Sequence, residues 1–177
     1  MRVAITGGIA EGKSTVLGYL REAGYPVLSA DEIARTIFET EEIQNFLLDA
    51  LGTVDRAAVR TRLAHDPKFR RKLNGEMHPP VMKKIRESGA EIVEIPLLVE
   101  TVLYPQFESV WVVTCGPEEQ RRRLLARVHD EAIADAMLST QLCSAVKIPF
   151  ADRIVRTILD EDSVKRYVLE SVRIDIP

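Results

Sequence analysis

The chain has 177 residues, 46% hydrophobic and 29% charged, a balance that fits a single core-forming domain with small inserts. The formal net charge of −3 argues against a general nucleic-acid binder, which is usually basic. Cys115 and Cys143 are far apart and do not cluster with His65, His78 or His129, which argues against a disulfide scaffold or a zinc knuckle. No apolar run reaches about 18 residues and the start is not charged-then-apolar, so no membrane span or signal peptide is expected, and the expectation is a soluble cytoplasmic protein.

In chain order, the first apolar run, Val3 to Thr6, is rich in Val and Ile and too short for a helix, so it reads as a buried strand. Pro26 to Ser29, Glu91 to Pro96, Ser109 to Thr114 and Arg153 to Thr157 read the same way. A helix is expected from Lys13 to Ala23, stopped by Gly24. Glu41 to Leu51 carries apolar residues at 43, 46, 47, 50 and 51, a helical stripe that ends at Gly52. Asp55 to Ala64, Pro67 to Leu73 and Pro80 to Ser88 add further helices. Pro117 to Arg127 opens with proline in its first turn and two glutamates behind it, which suits the helix dipole, and Glu161 to Val172 closes the series. Strands alternating with helices give an α/β class with a five-stranded parallel sheet covered on both faces. The long helical gap from about residue 30 to 90 reads as an insert, and a second helical excursion runs from about 117 to 150.

Gly7, four residues, then Gly12-Lys13-Ser14 fits the P-loop pattern GxxxxGK[ST]. It follows an expected strand and opens an expected helix, the context that pattern requires. Glycines permit close backbone approach, and successive N–H groups then face phosphate oxygens at the positive end of the helix. Lys13 is placed to reach the terminal phosphates and the Ser14 hydroxyl to meet Mg²⁺. The expected ATP-binding residues are Gly8, Ile9, Ala10, Glu11, Gly12, Lys13, Ser14 and Thr15. Glu11 is the anomaly. Its side chain is expected to point to solvent at some cost to anion affinity, so that Glu11→Ser should tighten ATP binding.

Beyond the loop come "SADEIAR" at 29 to 35, "RRKLNGEMHPPV" at 70 to 81, "EIPLLVE" at 94 to 100, "EEQRRRLLAR" at 118 to 127, Gln141 fourteen residues after Arg127, and "ADRIV" from 151. In this order and spacing the chain resembles the dephospho-CoA kinase family over nearly its whole length. The resemblance implies a P-loop, nucleoside-monophosphate-kinase-like fold. It implies a core of residues 1–35, 89–116 and 146–177, a helical domain for the CoA substrate over 36–88, and a lid over 117–145. It implies transfer of the ATP γ-phosphate to the 3′-hydroxyl of dephospho-CoA, giving coenzyme A and ADP, with Mg²⁺. Closure of the lid on binding is expected. Three departures stand out. Ser29 occupies the first place of the family's Asp-x-Asp, Ala10-Glu11 replaces Gly-Ser before Gly12-Lys13, and Thr157-Ile158 stands where an asparagine and a glycine are usual. The segment from 36 to 60 is also short for the family.

Asp31 follows the second strand, at the sheet edge where ligands gather, and is assigned as catalytic base and Mg²⁺ contact. The alternative is an N-cap for a helix beginning at Glu32. Arg35, four residues on, is either an ion-pair partner of Asp31 or, as the resemblance implies, a substrate contact. Arg70, Asn74, His78 and Glu100 are the other expected substrate contacts. His78, before Pro79, is expected to end a helix and project from fixed backbone, with a capping role as the alternative. Arg70 is otherwise a solvated charge. Glu94 has no clear role, and no strand ends in a Walker B aspartate. The run Arg121, Arg122, Arg123 reads as a solvated face, whereas the resemblance places Arg127 at the lid, neutralising charge on the transferred phosphoryl beside Lys13. Trp111 reads as core. Rival functions are another small-molecule P-loop kinase, or a catalytically weak nucleotide-binding relative that serves a partner. No nucleic-acid or membrane partner is expected, and the assembly is expected to be a monomer or small homo-oligomer.

Overall fold

The computed structural model describes residues 2–177. Within them, five strands, β1 (Val3–Thr6), β2 (Val27–Ser29), β3 (Ile92–Glu94), β4 (Ser109–Thr114) and β5 (Arg153–Arg156), form one parallel sheet in the order β2-β3-β1-β4-β5. The helices are α1 (Lys13–Glu22), α2 (Ala30–Phe38), α3 (Glu41–Leu51), α4 (Arg56–His65), α5 (Pro67–Glu87), α6 (Pro117–Val128), α7 (Glu131–Ser139), α8 (Ser144–Lys147) and α9 (Glu161–Asp175). The chain divides into two compact units, one made of the residues up to Leu28 with Ala90–Pro177, the other of Ser29–Gly89. The division falls before α2, so Asp31 and Arg35 belong to the helical unit rather than to the stretch read as core from the sequence.

In the first unit β1 is central. Val3 is in register with Ile92 on one side and Ser109 on the other, and all four β1 residues are buried. A strand covered on both faces carries a continuous apolar run rather than an alternating one, which is why Val-Ala-Ile-Thr reads as it does. Helices α1 and α9 pack together and present Val16 and Leu20, and Val164, Val168 and Val172, to Ile5, Trp111 and Val113. The four-residue spacing of each set is one helical stripe. Trp111 is fully buried core, as expected. Its indole N–H donates to Asp175 Oδ2 at 2.7 Å, and Asp175 also accepts from the Ser109 hydroxyl (2.7 Å) and Arg153 Nε (2.9 Å). The Arg153 guanidinium, joined by the Ser109 and Trp111 donors, lowers the Asp175 carboxyl to about 2. One carboxylate thus ties the end of α9 to β4 and β5.

In the second unit, α5 packs on α2 and α4. Phe69, Leu73, Val81 and Ile85 are its buried residues at multiples of four. The Asp55 and Asp66 side chains cap α4 and α5, Asp66 accepting from Lys68 N and Phe69 N. The two helices expected at Pro67 to Leu73 and Pro80 to Ser88 are one, and His78 is in its interior rather than at an end. Pro79 and Pro80 withdraw the donors that would reach the carbonyls of Gly75 and Glu76. The apolar stripe nevertheless runs unbroken from Phe69 to Ile85, and its burial outweighs the pre-proline bias against helix.

Candidate active site

The loop between β1 and α1 has P-loop geometry fixed by its glycines. Gly12 is the N-cap of α1 with φ 89°, and a Cβ there would come within 2.8 Å of the Thr157 hydroxyl. Gly7 has φ 154°, with the Val113 carbonyl 2.4 Å from where its Cβ would be. Ala10 is left-handed at φ 61°, a strained setting for a residue with a Cβ. Thr15 N–H and Val16 N–H donate to the Gly12 carbonyl at 3.1 and 3.3 Å, and the start of α1 carries the helix's positive end. Lys13 Nζ donates to the carbonyls of Gly7 and Gly8, both at 2.9 Å, so the ammonium rests over the loop. Ser14 and Thr15 open α1 and are exposed.

Glu11 does not point to solvent. It is 1% exposed, and its carboxylate accepts from Gly8 N–H (2.5 Å), the Thr114 hydroxyl (3.0 Å) and the Ser144 hydroxyl. Its carbonyl accepts from the Thr157 hydroxyl at 2.7 Å. A buried carboxylate is tolerable when hydrogen bonds replace its hydration, and three donors supply them here. These three donors come from the loop, the end of β4 and the start of α8, and Thr157, just past β5, holds the carbonyl. Only their convergence in space makes the glutamate a buried residue, so the sequence alone gives no sign of it.

The backbone of Ile9 is held similarly. Its N–H donates to Gln141 Oε1 and its carbonyl accepts from Gln120 Nε2, both at 3.0 Å. The basic run on α6 divides. Arg121 pairs with Asp135 of α7 (3.0 Å) and Arg122 with Glu119 (2.6 Å), as a solvated face would. The Arg122 and then Arg123 guanidiniums lower the Glu119 carboxyl to about 2. Arg123 also reaches inward, donating to the Thr157 carbonyl at 2.9 Å and to its hydroxyl at 3.3 Å. Arg127 is exposed in the last turn of α6. A cavity of about 400 Å³ adjoins the loop, lined in part by Glu11, Gln120, Ser144, Thr114 and Ile158. Cys115 is buried in its wall, and burial pushes that thiol up, away from nucleophilic use.

Glu100 follows the β3 loop. Its Oε1 pairs with the fully buried Lys147 at 2.9 Å and accepts from Leu142 N–H at 3.0 Å, while Oε2 is buried with no hydrogen-bond partner among the described residues. Lys147 donates again to the Pro96 carbonyl at 2.9 Å, which also takes the Thr6 hydroxyl at 3.1 Å.

In the helical unit, Ser29 is the N-cap position of α2, and Asp31 lies inside the first turn, exposed. The cap reading for Asp31 therefore falls away. Asp31 and Arg35 line one cavity of about 340 Å³ with Arg56 and Arg60, over a floor that includes Val59 and Leu63. Arg56 is held by Glu39 and stacks 5.2 Å from the Phe38 ring centre. Arg70, Asn74 and His78 fall at four-residue intervals on α5 and form one stripe, with Arg70 exposed and the other two half-buried. Burial pulls the His78 imidazole below its ordinary value, which favours the neutral ring. Among the described residues no cluster of three or more His, Cys, Asp or Glu forms a metal cage. The sequence reading gave no role to Thr114, Gln120, Arg123, Ser144 or Thr157.

Comparison with known proteins agrees with this geometry. A family model described as Dephospho-CoA kinase matches residues 1–165. A dephospho-CoA kinase of Rhodopseudomonas palustris is 35% identical over 184 residues, covering 95% of this chain and 92% of that protein. A crystal structure of a Thermus thermophilus protein superposes with a TM-score of 0.86 at 28% identity, covering 100% of this chain and 98% of that one. A Campylobacter jejuni dephospho-CoA kinase shares the fold with a TM-score of 0.59 at 22% identity, covering 97% and 95% of the two chains. The chain belongs to the dephospho-CoA kinase family, a family of ATP-dependent phosphotransferases.

Proposed function

We propose that this chain transfers the γ-phosphate of ATP to the 3′-hydroxyl of dephospho-CoA through Lys13, Asp31 and Arg127. The observation that carries the reading is the P-loop itself, a complete glycine turn with Lys13 resting over it at the N-terminus of α1. Triphosphate oxygens displace the Gly7 and Gly8 carbonyls from Lys13 and take the amides from Ala10 through Thr15. The Asp31 carboxylate accepts the proton of the 3′-hydroxyl, the alkoxide oxygen forms a bond to the γ-phosphorus, and the bridging β–γ oxygen leaves with ADP. Support for Asp31 is its place in the first turn after β2, since ligands of parallel sheets gather at the carboxyl ends of strands. Arg127 neutralises charge on the transferred phosphoryl.

The Ser14 hydroxyl at the P-loop suits Mg²⁺. That ion commonly keeps several waters and is held by substrate phosphates with one or two protein oxygens, so it needs no dense carboxylate cage. Ser14 and Asp31 are the groups that would hold it, and it would supply charge neutralisation on the phosphates.

The helical unit takes the acceptor. An apolar floor flanked by Arg35, Arg56 and Arg60 suits a substrate that has a pantetheine arm, with its gem-dimethyl and methylene groups, and a diphosphate. Arg70, Asn74 and His78 add a polar stripe for the ribose and phosphates, and Glu100 serves by holding the segment after α7. The place of action is cytoplasmic. A coupled ADP assay with ATP, Mg²⁺ and a panel of dephospho-CoA, nucleosides and nucleoside monophosphates tests this. Turnover with dephospho-CoA well above the rest is expected. Preference for a nucleoside or nucleotide would replace the acceptor, and no turnover with any would leave a nucleotide-binding relative.

A further inference from the structure

The segment that returns from α7 to β5 is fastened to the P-loop. Gln141 accepts the Ile9 N–H, and the Ser144 hydroxyl donates to Glu11. Three residues on, Lys147 is pinned to Pro96 and Glu100. Gln120 of α6 donates to the carbonyl of the same residue, Ile9. Both the departure and the return of the 117–145 segment therefore meet the nucleotide loop, and Glu11 is where loop, β4 and α8 share one acceptor group.

We propose that Glu11 is a positioning residue for the nucleotide. Its carboxylate clamps Gly8, Thr114 and Ser144 into one arrangement, so that ATP meets a P-loop already set. The alternative physics, a negative charge that repels phosphate, makes the opposite prediction. A clamp requires reach and acceptor oxygens. Serine, the residue usual here in the family, has too short a side chain to take Gly8, Thr114 and Ser144 together. Glutamine keeps the reach and one carbonyl acceptor, and its amide can donate to either hydroxyl. Pre-setting a loop strengthens binding by removing the cost of ordering it on association.

This inference rests on the kinase reading only in that a nucleotide binds. The test is a calorimetric titration with ADP, which needs no acceptor substrate. Glu11→Ala and Glu11→Ser are each expected to weaken ADP by about tenfold, the scale of hydrogen bonds to a buried charged group, and Glu11→Gln to recover most of that loss. Ser144→Ala, which leaves the P-loop sequence intact, is expected to weaken ADP by about threefold, and the pair Glu11→Ala with Ser144→Ala to be no worse than Glu11→Ala alone. In turnover the KM for ATP rises while the KM for dephospho-CoA holds. ADP binding to Glu11→Ser as tight as to the parent, or losses that multiply in the double variant, overturns the clamp. If Glu11→Ala fails to fold, Glu11→Gln against Glu11→Ser and Ser144→Ala decide, because charge repulsion requires both Glu11 variants to tighten and requires Ser144→Ala to have no effect. A parent that binds ADP yet leaves dephospho-CoA untouched counts against the kinase reading and not against this one.

Discussion

The P-loop and the helical unit use polar side chains in opposite ways. Around the loop they are spent inward. Glu11, Ser144 and Lys147 are buried, and Gln120, Gln141 and Thr157 are bonded to backbone. That leaves binding to main-chain amides and one lysine. In the helical unit the groups with chemistry to offer, Asp31, Arg35, Arg60 and Arg70, are exposed, and backbone does little but hold them at helical spacing. The difference teaches that a site for a constant group, triphosphate, can be built from backbone geometry and braced from behind. The helical unit, where we propose the acceptor binds, offers exposed side chains instead.

If that contrast is right, substitutions in the two regions fail differently. Among binding-site substitutions Lys13→Ala should have the largest effect, a fall in turnover on the order of 10³-fold in a coupled ADP assay, because the triphosphate loses its one charged contact from the loop. Arg127→Ala, an exposed side chain, should lower kcat by roughly 10²-fold with the KM for dephospho-CoA unaltered, and an unaltered kcat removes Arg127 from the site. Arg35→Ala should raise the KM for dephospho-CoA about tenfold while leaving that for ATP alone, and a change in the ATP constant instead would blur the contrast between the regions.

The smallest effect on catalysis and a clear one on stability should come from Asp175→Asn. The folded carboxyl lies at about 2 against an ordinary 3.8, so its contribution is present above about pH 4 and is lost as pH falls through about 2. The shift corresponds to about 2–3 kcal/mol. Thermal melts at pH 7 should show the variant roughly 5–10 °C less stable, with the gap closing toward pH 2. A gap that persists at pH 2 would assign the effect to packing around Trp111 rather than to the charge.

Much of this was legible in the residues. Short Val/Ile runs gave all five strands within a residue or two at most ends, because buried parallel strands leave an unmixed apolar signal, and Gly12-Lys13-Ser14 placed the loop. Failures were of two kinds. His-Pro-Pro looked like a helix end, yet a stripe from Phe69 to Ile85 carried α5 through it, since burial of four large apolar residues exceeds a local backbone bias. Glu11 looked solvated because its donors lie 103 and 133 residues away, at Thr114 and Ser144. No local pattern encodes such a meeting. Arg123 was hidden for the same reason, being one of three consecutive arginines of which only the third finds Thr157.

The most direct test is phosphate transfer by Asp31→Asn beside the parent chain, with ATP, Mg²⁺ and dephospho-CoA, and ADP affinity measured on both. The account predicts that ADP binds the two alike while transfer by the variant falls by about 10²–10⁴-fold, the range expected for a lost general base. Transfer by Asp31→Asn within about twofold of the parent would contradict it.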